Sequence, residues 1–226
     1  MENSTIETEI KLTAKDNTAQ NGIAALTSIA GYTAADRGFR PHRDVYFDTD
    51  DLRLFYGKAV FRLRIRTDGS VLTFKAQGPP AYSGTTSLYR RIEIEQAADV
   101  TADDIAHGRL PDIPPVAAFR ERFGAAGLKQ CLEVKNNRRV IDLEKNGGAQ
   151  FELVLDDVLF SGPRGERKVY EIEIEVKSGS EDELRSIGSW LTDRFALKPA
   201  GPSKYIHGME LVGGVDVKKK TDRSIH

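Results

Sequence analysis

The segment Ser4–Ala14 reads STIETEIKLTA, with Glu7, Glu9 and Lys11 at spacings of two between Ile6, Thr8, Ile10 and Leu12. Side chains of an extended strand alternate between faces, so one face here is apolar and the other carries two carboxylates and an ammonium. Taken alone, such a strand reads as the wet side of an antiparallel sheet. The pattern recurs along the chain. Arg62, Arg64 and Arg66 oppose Phe61, Leu63 and Ile65; Lys75 shares a face with Thr73; Arg91, Glu93 and Glu95 oppose Ile92 and Ile94. Glu171, Glu173 and Glu175 oppose Ile172, Ile174 and Val176, and Glu152 and Asp156 fall together. Whole faces of like charge repel unless counter-ions are bound. If about eight such strands close on themselves, the interior holds side chains and one small ligand. The charged faces then line a tunnel, and the outward apolar faces need helices to cover them.

The rest of the chain supplies those helices. DNTAQNGIAALTSIAG has apolar residues at helical spacing and Gly31 as a stop, and PPVAAFRERFG and TADDIAHG read as two helices within one connection. SEDELRSIGSWLTDRFAL is amphipathic, with Ser180 and Glu183 placed for a capping box. Strands are expected at DVYFDT, AVFRLRIR, VLTFKAQ, LYRRIEIEQA, CLEVKNNRRVIDLE, AQFELVLDDVLFSG and KVYEIEIEVKSG, with turns at Thr67–Ser70, Asn146–Gly148 and Gly162–Gly165 and a stop at Gly78-Pro79-Pro80. Residues 1–212 read as one domain and 213–226 as a solvated tail.

Composition excludes several function classes. Lys and Arg total 33 against 34 Asp and Glu, so the net charge of −1 gives no argument for nucleic acid or an anionic membrane. Any useful charge is local. The single cysteine, Cys131, rules out an internal disulfide, and with no charged-then-apolar leader the expected setting is reducing and cytoplasmic. No apolar run is long enough to span a bilayer. The four histidines lack metal-ligand spacing, Trp190 reads as core packing, Cys131 as a small buried residue, and no Gly-rich phosphate loop occurs.

The residue types on the charged faces suit one chemistry. Guanidinium groups bind phosphate oxygens in bidentate fashion and ammonium groups act as point charges. Paired carboxylates suit Mg²⁺ or Mn²⁺, which take oxygen ligands. A metal ion can neutralise a phosphate chain or acidify an attacking water, and phosphoryl transfer otherwise needs mainly positioning and charge stabilisation.

Glu7-Thr8-Glu9-Ile10-Lys11 resembles the Glu-x-Glu-x-Lys signature of the CYTH domain, the triphosphate tunnel metalloenzymes. The resemblance continues in order through YFDTDDLRLFYGKAVFRLRIR, TFKA, RRIEIE, NNRRVIDL, LDDV, YEIEIEVKSG and SKYIHG, over residues 5–212. It implies an α+β fold, an eight-stranded antiparallel closed β-barrel with helices packed outside, acting on triphosphates with Mg²⁺ or Mn²⁺. It further implies that Glu7, Glu9, Glu171 and Glu173 hold metal and, with Lys11, carry catalysis. Lys11, Arg62, Arg64, Lys75, Arg91, Arg138 and Lys204 correspond to the triphosphate clamp, while Glu93, Glu95 and Asp156 assist a metal or hold basic side chains. Two placements stay open. Glu175 competes with Glu171, and Asn136 stands where a basic residue is often found, a corner that Lys135 or Arg139 could serve. The expected reaction is hydrolysis of inorganic triphosphate to pyrophosphate and orthophosphate. The alternatives are an adenylyl cyclase, a nucleoside or thiamine triphosphatase, or a polyphosphate- or nucleotide-binding module without turnover. The expected partner is the small-molecule substrate, without nucleic acid or membrane, and a homodimer is compatible with the sequence.

Overall fold

The computed structural model describes residues 4–77, 88–145, 148–201 and 203–215. The Gly78-Pro79-Pro80 stop, Asn146 and Gly147 of one turn, and residues 216–226 of the expected tail lie outside the described residues. The strands are β1 (Ser4–Ala14), β2 (Ser28–Ile29), β3 (Tyr32–Asp48), β4 (Val60–Arg66), β5 (Gly69–Gln77), β6 (Leu88–Ala97), β7 (Lys129–Glu144), β8 (Gln150–Gly162), β9 (Gly165–Ser178) and β10 (Lys198–Pro199). The helices are α1 (Asn17–Ala24), α2 (Arg53–Tyr56), α3 (Ala102–Ala106), α4 (Pro114–Phe123), α5 (Glu181–Phe195) and α6 (Lys204–Leu211).

Eight strands close into an antiparallel ring in the order β1-β6-β5-β4-β3-β7-β8-β9, and β1 pairs with β9 to complete it. The closure depends on β1 serving two neighbours. Residues Ser4–Ile10 pair with β6, and Glu9–Ala14 pair with β9. The short strands β2 and β10 are additions to β3 and β1. Closing the sheet removes the unpaired edges that an open sheet of this size would expose.

Two apolar cores lie outside the ring, as the strand parity requires. Ile10, Leu12, Ile141, Leu143, Ile172 and Ile174 face α5, which contributes Leu184, Ile187 and Leu191. Phe47, Phe61, Leu63, Leu72 and Phe74 face α4, which contributes Val116, Phe119 and Phe123. The capping box of α5 forms as the sequence predicts, with Ser180 Oγ accepting from Glu183 N at 3.2 Å and Glu183 Oε2 accepting from Ser180 N at 3.0 Å.

A third core lies inside the ring and departs from the expectation of a charged interior throughout. Tyr46, Val60, Leu132, Val134, Val158 and Phe160 share the inward parity of Asp44, Arg62, Arg138 and Asp156, and they pack on Tyr205, Met209 and Val212. Helix α6 thus fills one end of the tunnel. Gly208 permits this approach, because a Cβ there would stand 2.5 Å from Leu132 Cδ2 and 2.7 Å from Phe160 Cδ1. Asp48 anchors the same end: its carboxylate accepts from Leu54 N and Phe55 N at 2.9 Å each, capping α2, and from Tyr205 Oη at 2.5 Å.

Two expected elements differ in extent. The helix expected up to Gly31 stops at Ala24, because Ala30 and Gly31 adopt positive φ and turn the chain into the β2–β3 hairpin. The short strand DVYFDT is the end of the 17-residue β3. Its polar, Gly- and Pro-containing first half is held extended by pairing with β7, interrupted by a bulge between Asp36 and Phe39, so long-range pairing overrides weak local propensity.

Candidate active site

A cavity of about 600 Å³ occupies the unfilled part of the ring. Glu7, Glu9 and Lys11 enter it from β1, Arg62, Arg64 and Arg66 from β4, Lys75 from β5, Arg91, Glu93 and Glu95 from β6, Arg138 from β7, Glu152 from β8, and Glu173, Glu175 and Lys177 from β9. Lys204 enters from α6 at the filled end. A wider groove of about 1320 Å³ beside α6, lined by residues such as Cys131, Ser161 and Met209, lacks this ring of charge.

The charges pair across strands in linked groups. Lys75 Nζ donates to Glu7 Oε2 at 2.9 Å and lies 2.9 Å from Glu93 Oε1. Lys11 Nζ lies 3.0 Å from Glu9 Oε2 and also donates to Glu173 Oε1. Arg138 donates to both oxygens of Asp156, at 2.8 and 2.7 Å, and to Glu173 Oε2 at 2.9 Å. Lys204 Nζ reaches Asp156, Glu171 and Glu173 at 2.8, 3.0 and 2.7 Å. As the first residue of α6, Lys204 sits at the positive end of a helix, and these three carboxylates offset that.

Several buried polar atoms have no hydrogen-bond partner among the described residues. They are Glu9 Oε1, Arg62 Nε, Arg91 Nη2 and Asn136 Oδ1. Arg91 Nη1 stands 3.6 Å from Glu9 Oε1, too far for a hydrogen bond. Unpaired buried groups are costly, so an acceptor on Glu9 and donors on two arginines around one cavity mark places for a ligand's opposite partners.

The electrostatics follow from this layout. Burial penalises the charged form of Glu9, and its carboxyl is raised above the usual range despite Lys11. Burial also opposes ionisation of Glu7 and Glu173, yet Lys75 and Lys11 bring Glu7 down to about 2, and Lys11, Lys204 and Arg138 hold Glu173 well below its ordinary value. Glu175, half-buried near Glu7 and Glu152 with Lys177 2.8 Å away, is pushed up to about 7, chiefly by burial.

The structure brings most of the residues predicted from sequence into one cavity and separates a few by role. Asp156 is wholly buried behind the wall, with both oxygens engaged by Arg138 and with Lys204 at one of them. Glu171 also lies off the cavity wall, held by Lys204 and by His207 Nδ1 at 3.0 Å, whereas Glu175 lines the cavity opposite Glu9 in the β1–β9 register. Neither Lys135 nor Arg139 serves the Asn136 corner. Lys135 is exposed, and Arg139 points outward to Asp36 at 2.7 Å. Instead Asn136 Nδ2 lies 3.4 Å from His42 Nε2. Sequence reasoning passed over Asp44, which is fully buried behind the arginine face, although its parity with Tyr46 placed it inward.

The oxygen donors fit a hard divalent cation in chemistry, since Glu7, Glu9, Glu173 and Glu175 are all carboxylates and Glu9 Oε1 is unpaired. Among the described residues no three acidic, His or Cys side chains stand arranged as a ready metal site, because the carboxylates are turned toward lysine and arginine. Among the same residues no helix is long and apolar enough to cross a membrane.

A family model described as CYTH domain matches residues 5–199. No curated protein sequence matches the chain. Among solved structures, a protein from Bacillus halodurans proposed to be an adenylate cyclase is similar at a TM-score of 0.66 and 20% identity, over 90% of this chain and 97% of that one. A proposed adenylyl cyclase from Hippeastrum, reported to have a dominant triphosphatase activity, is similar at a TM-score of 0.64 and 17% identity, over 91% of this chain and 96% of that one. At these identities the likeness shows a shared fold.

Proposed function

The chain belongs to the CYTH domain family, and from that premise we propose that it is a metal-dependent triphosphatase that hydrolyses inorganic triphosphate to pyrophosphate and orthophosphate. The observation that carries this reading is the enclosed ring of cations from six strands and a helix, in which Arg62 Nε and Arg91 Nη2 lack hydrogen-bond partners among the described residues. An extended phosphate chain offers oxygens to several such donors at once. The Hippeastrum protein, with its dominant triphosphatase activity on the same fold, favours hydrolysis over cyclisation.

The charge balance supports a metal complex as the bound form. Nine lysine and arginine side chains line the cavity against seven glutamates, and Asp44 and Asp156 lie directly behind the cations. The wall is therefore close to neutral and does not by itself neutralise a triphosphate. Glu7 and Glu9, with Glu173 or Glu175, would hold Mg²⁺ or Mn²⁺, which supplies charge neutralisation and an acidified water when bound. Arg62, Arg64, Lys75 and Arg91 grip the phosphate chain along one side. Lys11, Arg138 and Lys204 grip it along the other. Enclosure by the filled α6 end limits bulk water and strengthens each of these contacts.

Incubation of the protein with tripolyphosphate or ATP, with Mg²⁺ or Mn²⁺, and identification of the products tests the reading. Orthophosphate and pyrophosphate from tripolyphosphate are expected. Cyclic AMP as the main product from ATP would replace this reading with a cyclase, and tight binding without turnover would replace it with a binding module.

A further inference from the structure

Asp44 on β3 takes no part in the reaction outlined above, yet it is the group on which the arginine face rests. Its side chain is wholly buried, and it lies behind the cavity wall while Arg62 and Arg64 form that wall. Arg64 donates from Nε to Oδ1 at 2.7 Å and from Nη2 to Oδ2 at 2.8 Å, a bidentate fork. Arg62 Nη1 stands 3.6 Å from the same Oδ2, and Arg62 Nη2 donates to Thr73 Oγ1 at 3.1 Å. Tyr46 Oη donates to Asp44 at 3.4 Å, and His42 Nε2 is 3.8 Å away.

A guanidinium forked onto a carboxylate has its plane and its free edge set, whereas an unanchored arginine samples many rotamers. In this arrangement Arg64 Nη1 takes no part in the fork, and Arg62 Nε has no hydrogen-bond partner among the described residues. Stability alone gives little reason for the charge, since a buried ion pair commonly does no better than apolar residues of similar size. The neighbouring inward positions, Tyr46 on the same strand and Val134 across the β3–β7 register, belong to the apolar third core.

We propose that Asp44 is a positioning residue for triphosphate: it fixes the planes in which Arg64 and Arg62 present their free N–H groups to the phosphate oxygens, without touching the substrate. This rests on the reading of the cavity as a triphosphate site. It goes beyond that reading by assigning the precision of one side of the clamp to a buried residue outside the cavity wall.

The test compares wild type, Asp44→Asn, Arg64→Ala and the double variant in steady-state hydrolysis of tripolyphosphate with Mn²⁺, alongside calorimetric binding of tripolyphosphate. Asp44→Asn keeps the side-chain size and removes the charge. A rise in KM of about 10-fold or more is expected, with kcat changed by less than about 3-fold, as for lost ground-state binding. In the Arg64→Ala background the same substitution is expected to change KM by less than about 3-fold, because its main partner is already gone. Equal effects in both backgrounds, or a lowered melting temperature with KM unchanged, would overturn the proposal. Arg64→Lys keeps the charge without the fork and decides the matter if Asp44→Asn does not fold. A raised KM is expected, and wild-type KM would refute positioning by the fork. If wild type binds tripolyphosphate without hydrolysing it, the triphosphatase reading fails and the same comparisons are made on affinity. If it neither binds nor hydrolyses, both fall.

Discussion

Lys204 on α6 places its Nζ 2.8 Å from the Oδ2 of Asp156 on β8, tying the helix that fills one end of the ring to the charged wall of the cavity. Both side chains are buried, and Glu171 and Glu173 complete the contact. Lys204→Met keeps the apolar stem and leaves three carboxylates without their shared cation. Removing one partner of a buried ion pair costs about 3–5 kcal/mol, so the denaturation midpoint is expected to fall sharply and the KM for tripolyphosphate to rise. Urea unfolding and initial rates measure the two effects, and an unchanged midpoint would contradict the buried network.

Gly208 tests the docking of α6 without altering a charge. A methyl group there meets Leu132 and Phe160 at under 3 Å, so Gly208→Ala is expected to cost about 1–3 kcal/mol by overpacking. Displacing α6 also moves Lys204, so kcat/KM is expected to fall with stability. A stable variant with full activity would show that the helix is not seated against β7 and β8.

Glu9 carries a buried carboxylate oxygen with no hydrogen-bond partner among the described residues. Glu9→Gln is expected to keep the fold and to weaken Mn²⁺ affinity by about 10–100-fold, with activity at limiting metal falling in step. Metal titration of the rate, together with Mn²⁺ binding followed by electron paramagnetic resonance, separates a lost ligand from a lost fold. Chelation of metal from wild type is expected to abolish turnover and leave circular dichroism unchanged.

His42 is a buried neutral imidazole whose titration is lowered to about 3, first by burial and then by the nearby Arg64, against the pull of Asp44. Arg138 and Asp156 also act on it, with opposite signs. Its folded value lies below its unfolded value, so the unfolded chain takes up a proton first, and stability is lost as pH falls below about 6.5. Glu175 acts in the opposite sense, because its carboxyl is raised to about 7 and folding gains from protonation below that pH. Comparison of wild type with His42→Gln isolates the histidine. Between pH 6.5 and 5 the wild type is expected to lose up to about 2 kcal/mol relative to the variant. Parallel stability curves would mean that His42 titrates normally.

The strand faces are legible in the chain itself because side-chain parity is local. Glu7, Glu9 and Lys11 had to share one face, as did Arg62, Arg64 and Arg66, whatever the strands paired with. The repetition of whole charged faces, with amphipathic segments such as α5 to cover the opposite ones, fitted a tunnel if the strands close on themselves, and the closed eight-stranded ring itself was what the family resemblance implied. The family signature added which faces belong to the site. Pairing was not legible, because it joins residues far apart in sequence. Only the closed structure decided that Glu175 lines the cavity while Glu171 is held by Lys204 and His207. It also decided that Asp156 backs two cations, and that the inward residues of β7 and β8 change from charged to apolar where α6 enters. Asp44 shows the physical reason most clearly. One aspartate in RDVYFDT has no distinguishing pattern, and its meaning comes from two arginines some twenty residues away that a neighbouring strand brings within reach.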